Sequence, residues 1–452
     1  MGARITAFKE AQCTRCGVCL NKCPVLALPI DEAKAEFERL IDRRTPSAVL
    51  SRCNSCMSCN LYCPEKAHPY NLILERWNEL YAKRGAPPLY RFVCPTETPN
   101  IWQLMNLFLS DSERKWITEW MSAVPGPDDR VLLIGNYTHL FPFIIGGSAL
   151  LDHFKPIDRI DQWEGGAYLY QGGYLDLVRE IALSTRRDFD EWGAKEVVFL
   201  TDAVHHLCSS VHPREMGVSH ERTFVTLNEW LAGKLQAGAI TLPAAPLGMR
   251  VTVHDNCYSK VHGGLYWDTP RELLQRCGCT VVEMRHIKKD SLCCGFGAGA
   301  SWVRNMSMPF DIISEGAKKI REAEDTGAEA LVSYCSGCIY LLWAARELTG
   351  SKIKIYHLLE VVRMAMGETI NYPEDHVRRA WDVIAIITYQ LGISLFQKNF
   401  FIKELSYDNS KSTFSPGNRR ILKSIRWILG PLVMRAVYGR VFRTMMPLIR
   451  TR

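Results

Sequence analysis

Residues 13–24 read CTRCGVCLNKCP, and residues 53–64 read CNSCMSCNLYCP. Each run places three cysteines two residues apart, then a fourth after three more residues, followed at once by proline. Each run is compact, and its proline breaks regular structure directly after the fourth cysteine. Disulfides do not explain the pattern. The chain has 17 cysteines in 452 residues, far too sparse for a disulfide-stapled domain, and twelve of them fall in C-x-x-C, C-x-x-x-C or adjacent-cysteine groups. Clustered thiols in a chain of this kind point to metal ligation in a reducing compartment.

The doubled motif resembles the bacterial two-cluster ferredoxins, in which three thiolates wrap one face of an iron–sulfur cube and the fourth reaches the neighbouring cluster. The resemblance implies one [4Fe-4S] cluster on Cys13, Cys16, Cys19 and Cys63, and another on Cys53, Cys56, Cys59 and Cys23. A pair of zinc sites would need four ligands each and no trailing Cys-Pro. The 29 residues from Pro24 to Arg52 include helix-forming DEAKAEFERLIDRR, which suits a helical ferredoxin better than the compact β-containing type. Such a domain carries single electrons.

Working outward, NLILERWNELYAKRG (71–85) reads as a helix that stops at Ala86-Pro87-Pro88, taken as a stiff linker. Beyond Pro125-Gly126-Pro127, two segments repeat one order of strand, Gly-rich turn, long helix and strand. In the first these are VLLIG, WEGGAY, GGYLDLVREIALSTRRDFDEWG and EVVFLTD; in the second they are RVTVHDN, LCCGFGAG, MPFDIISEGAKKIREAEDTG and ALVSYCSGC. The pattern predicts two duplicated α/β halves, with TVVEM after Cys277 and Cys279 a further strand, and Thr223–Gly248 between the halves a helix and a loop.

The second half holds Cys257, then Cys293-Cys294-Gly295 after 35 residues, then Cys335-x-x-Cys338 after 39 more. Here the chain resembles the CCG-domain family, the heterodisulfide reductase catalytic subunits, although the second interval is slightly longer than that pattern. The resemblance implies that Cys257, Cys293, Cys294, Cys335 and Cys338 are the catalytic set. They would hold a non-cubane [4Fe-4S] cluster that cleaves or forms disulfides in one-electron steps. A cubane relay using four of the five is the alternative. The first half has Asn136 or Tyr137 in place of Cys257, Glu164-Gly165-Gly166 in place of Cys293-Cys294-Gly295, and Thr201 and Val204 in place of Cys335 and Cys338. It therefore reads as a pseudo-repeat that shapes the pocket without holding a cluster.

His254 and Lys260 flank Cys257 and are candidates for protonating a leaving thiolate. His205 and His206, at a strand end, read as structural; Cys277 and Cys279 read as packing, with a redox pair as the alternative, and Cys94 and Cys208 complete the count. Gly295, Gly297 and Gly299 have the wrong spacing for a dinucleotide site, and nothing resembles a flavin or nicotinamide motif. Electrons must come from, or go to, a partner protein.

The net charge of +7 is uneven: Lys411–Arg452 carries ten Lys or Arg and no Asp or Glu, leaving −3 on the first 410 residues. Arg alternates there with Trp427, Leu432, Val437, Phe442 and Met445, an interfacial or docking pattern rather than a nucleic-acid patch. No window approaches the roughly 18 apolar residues of a membrane span, and MGARITAFKEAQCTRCGVCL is not a secretory leader.

The fold expected is thus α+β or α/β: a helical ferredoxin domain (1–88), a helical linker (89–128), a degenerate CCG half without the cysteine ligands (129–248), a CCG half (249–371) and a basic helical tail (372–452). The whole order looks like the fused subunit of membrane-bound heterodisulfide reductases of sulfate reducers and methanogens. That resemblance implies three [4Fe-4S] clusters and a cytoplasmic position on the inner face of the membrane. It further implies a cytochrome b-type membrane partner, in some complexes a multihaem cytochrome c, and a small disulfide or disulfide-bearing carrier protein as substrate. The competing expectation is a substrate-free relay between a flavin dehydrogenase of the glycerol-3-phosphate or glycolate type and quinone.

Overall fold

The structure, a computed structural model, describes residues 5–45, 47–242, 245–299, 307–406 and 414–449. Its first segment is helical. Helix Ile30–Ile41 buries Ala33, Phe37, Leu40 and Ile41, one stripe at helical spacing, and covers the first cysteine loop. Helix Pro69–Arg84 starts on a proline whose missing N–H costs nothing at that position, and it buries Tyr70, Leu74 and Trp77.

Two four-stranded parallel sheets follow. The first comprises β1 (Val131–Leu133), β2 (Lys155–Ile157), β3 (Glu196–Phe199) and β4 (Thr223–Thr226), in the order β2-β1-β3-β4. The second comprises β5 (Arg250–His254), β6 (Thr280–Val281), β7 (Ala330–Ser333) and β8 (Lys354–His357), in the order β6-β5-β7-β8. The two orders are the same, which is the duplication expected. Central strands β5 and β7 are buried along almost their whole length, as parallel strands covered by helices on both faces must be.

In each sheet the chain leaves the first central strand toward one edge and the second toward the other. Between them lies the switch point, where a crevice opens at the strands' carboxyl ends. Tyr137 follows β1 and Thr201 follows β3; Cys257 follows β5 and Cys335 follows β7. The crevices of the two halves face each other. Thr138 Oγ1 lies 3.2 Å from Ser336 Oγ, Asn256 Nδ2 donates to Asp202 Oδ2 at 2.9 Å, and Tyr258 OH donates to Ala167 O at 2.9 Å.

Three expectations are corrected. The edge strands β2, β4 and β8 add to the expected set, and the strand expected from Thr280 to Met284 is only Thr280–Val281; edge strands are short and bury one side, so their apolar signal is weak. Ala86-Pro87-Pro88 is no exposed linker. Ala86 is fully buried and exchanges backbone hydrogen bonds of 2.6 and 3.0 Å with Phe400, which clamps the end of the first segment to the C-terminal region.

The expected tail from 372 is also divided. Helix Glu374–Ser394 belongs to the core: Trp381 Nε1 donates to Glu347 Oε2 at 3.0 Å, and Arg379 is paired with Glu113, both side chains buried. Only Pro416–Ile428 and Leu432–Ile449 lie outside. They are anchored by Leu422 and by Phe442, which stacks on Phe310 with centroids 4.8 Å apart. Among the described residues, no helix is long and apolar enough to cross a membrane.

Candidate functional site: three thiol groups in line

Cys13, Cys16, Cys19 and Cys63 line one cavity beneath Phe37. Cys59 is surrounded by Cys53, Cys56 and Cys23, with Cys19 also in range, so the two four-thiol groups adjoin. Both loops reach this shape in the same way, with left-handed backbone at Arg15 and Gly17 in one and at Ser55 and Met57 in the other. Backbone N–H groups in and after the loops point at sulfur: Ser55 donates to Cys53 Sγ at 3.3 Å, Ala67 to Cys63 Sγ at 3.3 Å, and Leu26 to Cys23 Sγ at 3.4 Å. Burial, reinforced by the neighbouring sulfurs, pushes the Cys19 thiol up to about 12 and Cys59 well above the usual thiol range. Thiols so placed ionise only with a cation among them. The convergent sulfurs and the N–H groups aimed at them fit iron–sulfur clusters.

The third group sits at the second switch point. Cys257, Cys294, Cys335 and Cys338 line a cavity that Cys293 backs. The five thiols touch in sequence: Cys257 and Cys294 donate to Cys293, and Cys338 contacts both Cys294 and Cys335. Cys293 receives those bonds and a third from Gly295 N at 3.3 Å, which hold it well below the usual thiol range, while its neighbours are raised. His254 ends β5 with a nitrogen within 4.8 Å of the Cys294 and Cys338 sulfurs. It is buried, neither ring nitrogen has a hydrogen-bond partner, and burial lowers it to about 3. A neutral imidazole orphaned beside five thiols fits a metal-bearing group there.

The ferredoxin-like segment presses its second loop against this site. Ser55 Oγ donates to Gln171 O at 2.7 Å. A Cβ on Gly297, three residues past Cys294, would lie 1.9 Å from Asn54 O, so only glycine lets the two cysteine loops meet. Lys260 is buried between them and donates to Ser58 Oγ at 3.3 Å. Burial opposes its charge, but Cys56, Cys257 and Cys293 more than offset that, and its ammonium is raised.

Other candidates lie elsewhere. His206 Nδ1 meets His262 Nε2 at 2.6 Å, and His205 pairs with Tyr266; neither lines the cysteine cavity. Cys94 donates to Tyr90 O at 3.2 Å. Burial lifts Cys277 to about 12 and Cys279 to about 11, and both thiols are free, as packing cysteines would be. Cys208, which the sequence gives no role, has its sulfur within 4.8 Å of donor atoms of His212 and His220. That grouping joins a π-helical turn to a loop and follows no motif spacing. The residue most plainly missed by sequence reasoning is Glu164. Aligned with the paired cysteines it is a lost ligand, yet it lines the same cavity as the thiols.

Two family models match the chain: the 4Fe-4S dicluster domain over residues 10–67 and the cysteine-rich CCG domain over residues 251–342. Among characterised proteins it is similar to a dihydromethanophenazine:CoB–CoM heterodisulfide reductase subunit of Methanosarcina barkeri, 28% identical over 211 residues, 46% of this chain and 50% of that one. The corresponding subunit of Methanosarcina acetivorans is 22% identical over 409 residues, 79% of this chain and 94% of that one. EtfAB:quinone oxidoreductase of Syntrophomonas wolfei is 27% identical over 209 residues, 45% of this chain and 27% of that one. The match thus spans half of the first relative and about a quarter of the third. The chain joins a 4Fe-4S dicluster domain to a CCG cysteine-rich domain, and its relatives are heterodisulfide reductase subunits and related iron–sulfur oxidoreductases.

Proposed function

We propose that this chain is the electron-carrying, peripheral subunit of a membrane-bound respiratory complex on the cytoplasmic face. In this reading its CCG cavity performs thiol–disulfide redox chemistry fed by the two ferredoxin clusters. The observation that carries the reading is the five-thiol cavity, with its orphaned His254, pressed against the second ferredoxin loop. Three [4Fe-4S] clusters, when bound, supply one-electron steps. The chain's own residues do the rest. Gly297 and Asn54 keep the second and third thiol groups adjacent, and Lys260 balances negative charge between them. Tyr137, Tyr168 and Tyr258, all buried, wall the cavity from water. A small disulfide, free or on a carrier protein, is the substrate class the cavity suits.

The partner implied is a cytochrome b-type membrane subunit, with a multihaem cytochrome c beyond it. The last two helices support the docking: Trp427, Leu432, Val433 and Leu448 are largely exposed, with Arg419, Arg420, Lys423 and Arg440 exposed among them. Each such cation near an anionic leaflet contributes about 1 kcal/mol. Deleting residues 416–452 is expected to leave the clusters intact and to reduce recovery with the membrane fraction about tenfold or more. Unchanged recovery would place docking on another surface.

The similarity to EtfAB:quinone oxidoreductase supports a second reading, a substrate-free relay between a flavoprotein and quinone. Iron analysis and electron paramagnetic resonance separate the two. The disulfide reading expects about twelve iron atoms per chain and, on oxidation with 2-mercaptoethanol, a paramagnetic signal absent without the thiol. About eight iron atoms, or no thiol-dependent signal, would overturn it in favour of the relay.

A further inference from the structure

The half that lacks the cysteines keeps the geometry of the site. In it, the residues at the three ligand positions meet one another: Tyr137 N–H donates to Glu164 Oε1 at 2.7 Å, and Thr201 Oγ1 faces Glu164 Oε2 at 3.4 Å. The carboxyl fits only because residue 135 is glycine; a Cβ there would lie 2.8 and 2.9 Å from its two oxygens. The backbone is bent to deliver it, with φ of 51° at Trp163 and 55° at Glu164, left-handed values that a non-glycine residue holds only where its surroundings compel them. Glu164 is buried and lines one cavity with Cys257, Cys294, Cys335 and Cys338.

We propose that Glu164, standing where the first half would carry its paired cysteines, is the proton donor to the thiolate released in that cavity. The proposal rests on the disulfide reading of the cavity. A disulfide R–S–S–R′ takes two electrons, delivered singly through the ferredoxin segment, and two protons. The S–S bond breaks and two S–H bonds form. Glu164 gives one proton to the departing sulfur and regains it from solvent, which supplies the second proton as well.

The surroundings keep the carboxyl protonated until it is needed. Tyr137, Tyr168, Tyr258 and Tyr340 face it from four elements, all neutral phenols raised by burial. The acid in range is Asp158, whose Oδ2 lies 2.5 Å from His139 Nε2. Burial, aided by Asp158 and opposed by the Tyr137 and Thr201 bonds, raises Glu164 to about 8, so it is neutral at pH 7. Asp202, the other buried acid nearby, is held by Asn256 and does not line the cavity.

The test compares wild type with Glu164→Gln and Gly135→Ala, the ferredoxin clusters' visible absorbance serving as a control for folding. In the infrared, the wild type is expected to show a protonated-carboxyl band that Glu164→Gln lacks and Gly135→Ala shifts. With reduced viologen as donor and bis(2-hydroxyethyl) disulfide as probe, the wild-type rate should fall above pH 8 or so. Glu164→Gln should be about 100-fold slower at pH 7 and lose that fall. No carboxyl band, or a Gln variant with the wild-type rate and pH profile, overturns the role of Glu164 alone. A wild type that shows neither probe reduction nor the thiol-dependent paramagnetic signal overturns the disulfide reading and this proposal with it.

Discussion

Cys293→Ala is expected to empty the third thiol group while leaving the other two filled. Cys293 is the centre of the five: it accepts from Cys257, Cys294 and the Gly295 N–H, and it is the thiol held lowest. Removing it takes away the sulfur on which its neighbours converge, and those neighbours are themselves raised by that contact and by burial. Changes one shell further out cost metal sites about 10–100-fold, so loss of a central ligand should exceed about 100-fold in disulfide reduction. Iron should fall from about twelve to about eight per chain, with the ferredoxin clusters still reducible. Cys277→Ala, a packing cysteine remote from the cavity, is the control. Wild-type iron and activity in Cys293→Ala would place the chemistry elsewhere.

The second large effect concerns the fold. Glu113→Ala should destabilise the chain by about 3–5 kcal/mol, because it strands a buried guanidinium. Arg379 is completely buried and paired with Glu113, whose other oxygen accepts the Ser110 N–H at 2.7 Å in a capping box. Burial lowers Arg379, and Glu113 is the first group opposing that. With the carboxylate gone, a charge remains in the interior and a helix loses half of its capping box. Urea midpoints would report the loss. Glu113→Ala combined with Arg379→Leu should recover more than half of it, since removing both charges removes the desolvation penalty. A midpoint unchanged in the single variant would mean that the pair is worth no more than a surface ion pair.

That pair also shows why the C-terminal region does not read correctly as a string. Residues 372–452 are free of cysteine and mostly helical, and the charge excess beyond 410 colours the whole stretch. Helix Glu374–Ser394 carries Arg379 and Asp382, which look like part of a solvated face. Their partners Glu113 and Arg426 lie 266 and 44 positions away, so nothing local marks them as buried. Ala86 looks like part of a linker for the same reason, because its partner is Phe400.

The ligand chemistry and the duplication are legible along the chain. Thiol spacing is a local property, and twelve of the thirteen site cysteines sit in runs short enough to read directly. The shared order of strand, turn and helix in the two halves is local in the same way, and the matched strand orders follow from it. What the half without the ligand cysteines contributes emerges only when the chain is folded. Glu164 reads as an absent ligand in the sequence. It becomes a cavity acid because two switch points face each other across one interface, and because Tyr137, Gly135 and Thr201, 27, 29 and 37 positions away, position its carboxyl there. Burial and mutual approach of distant strand ends have no periodicity for a sequence to display.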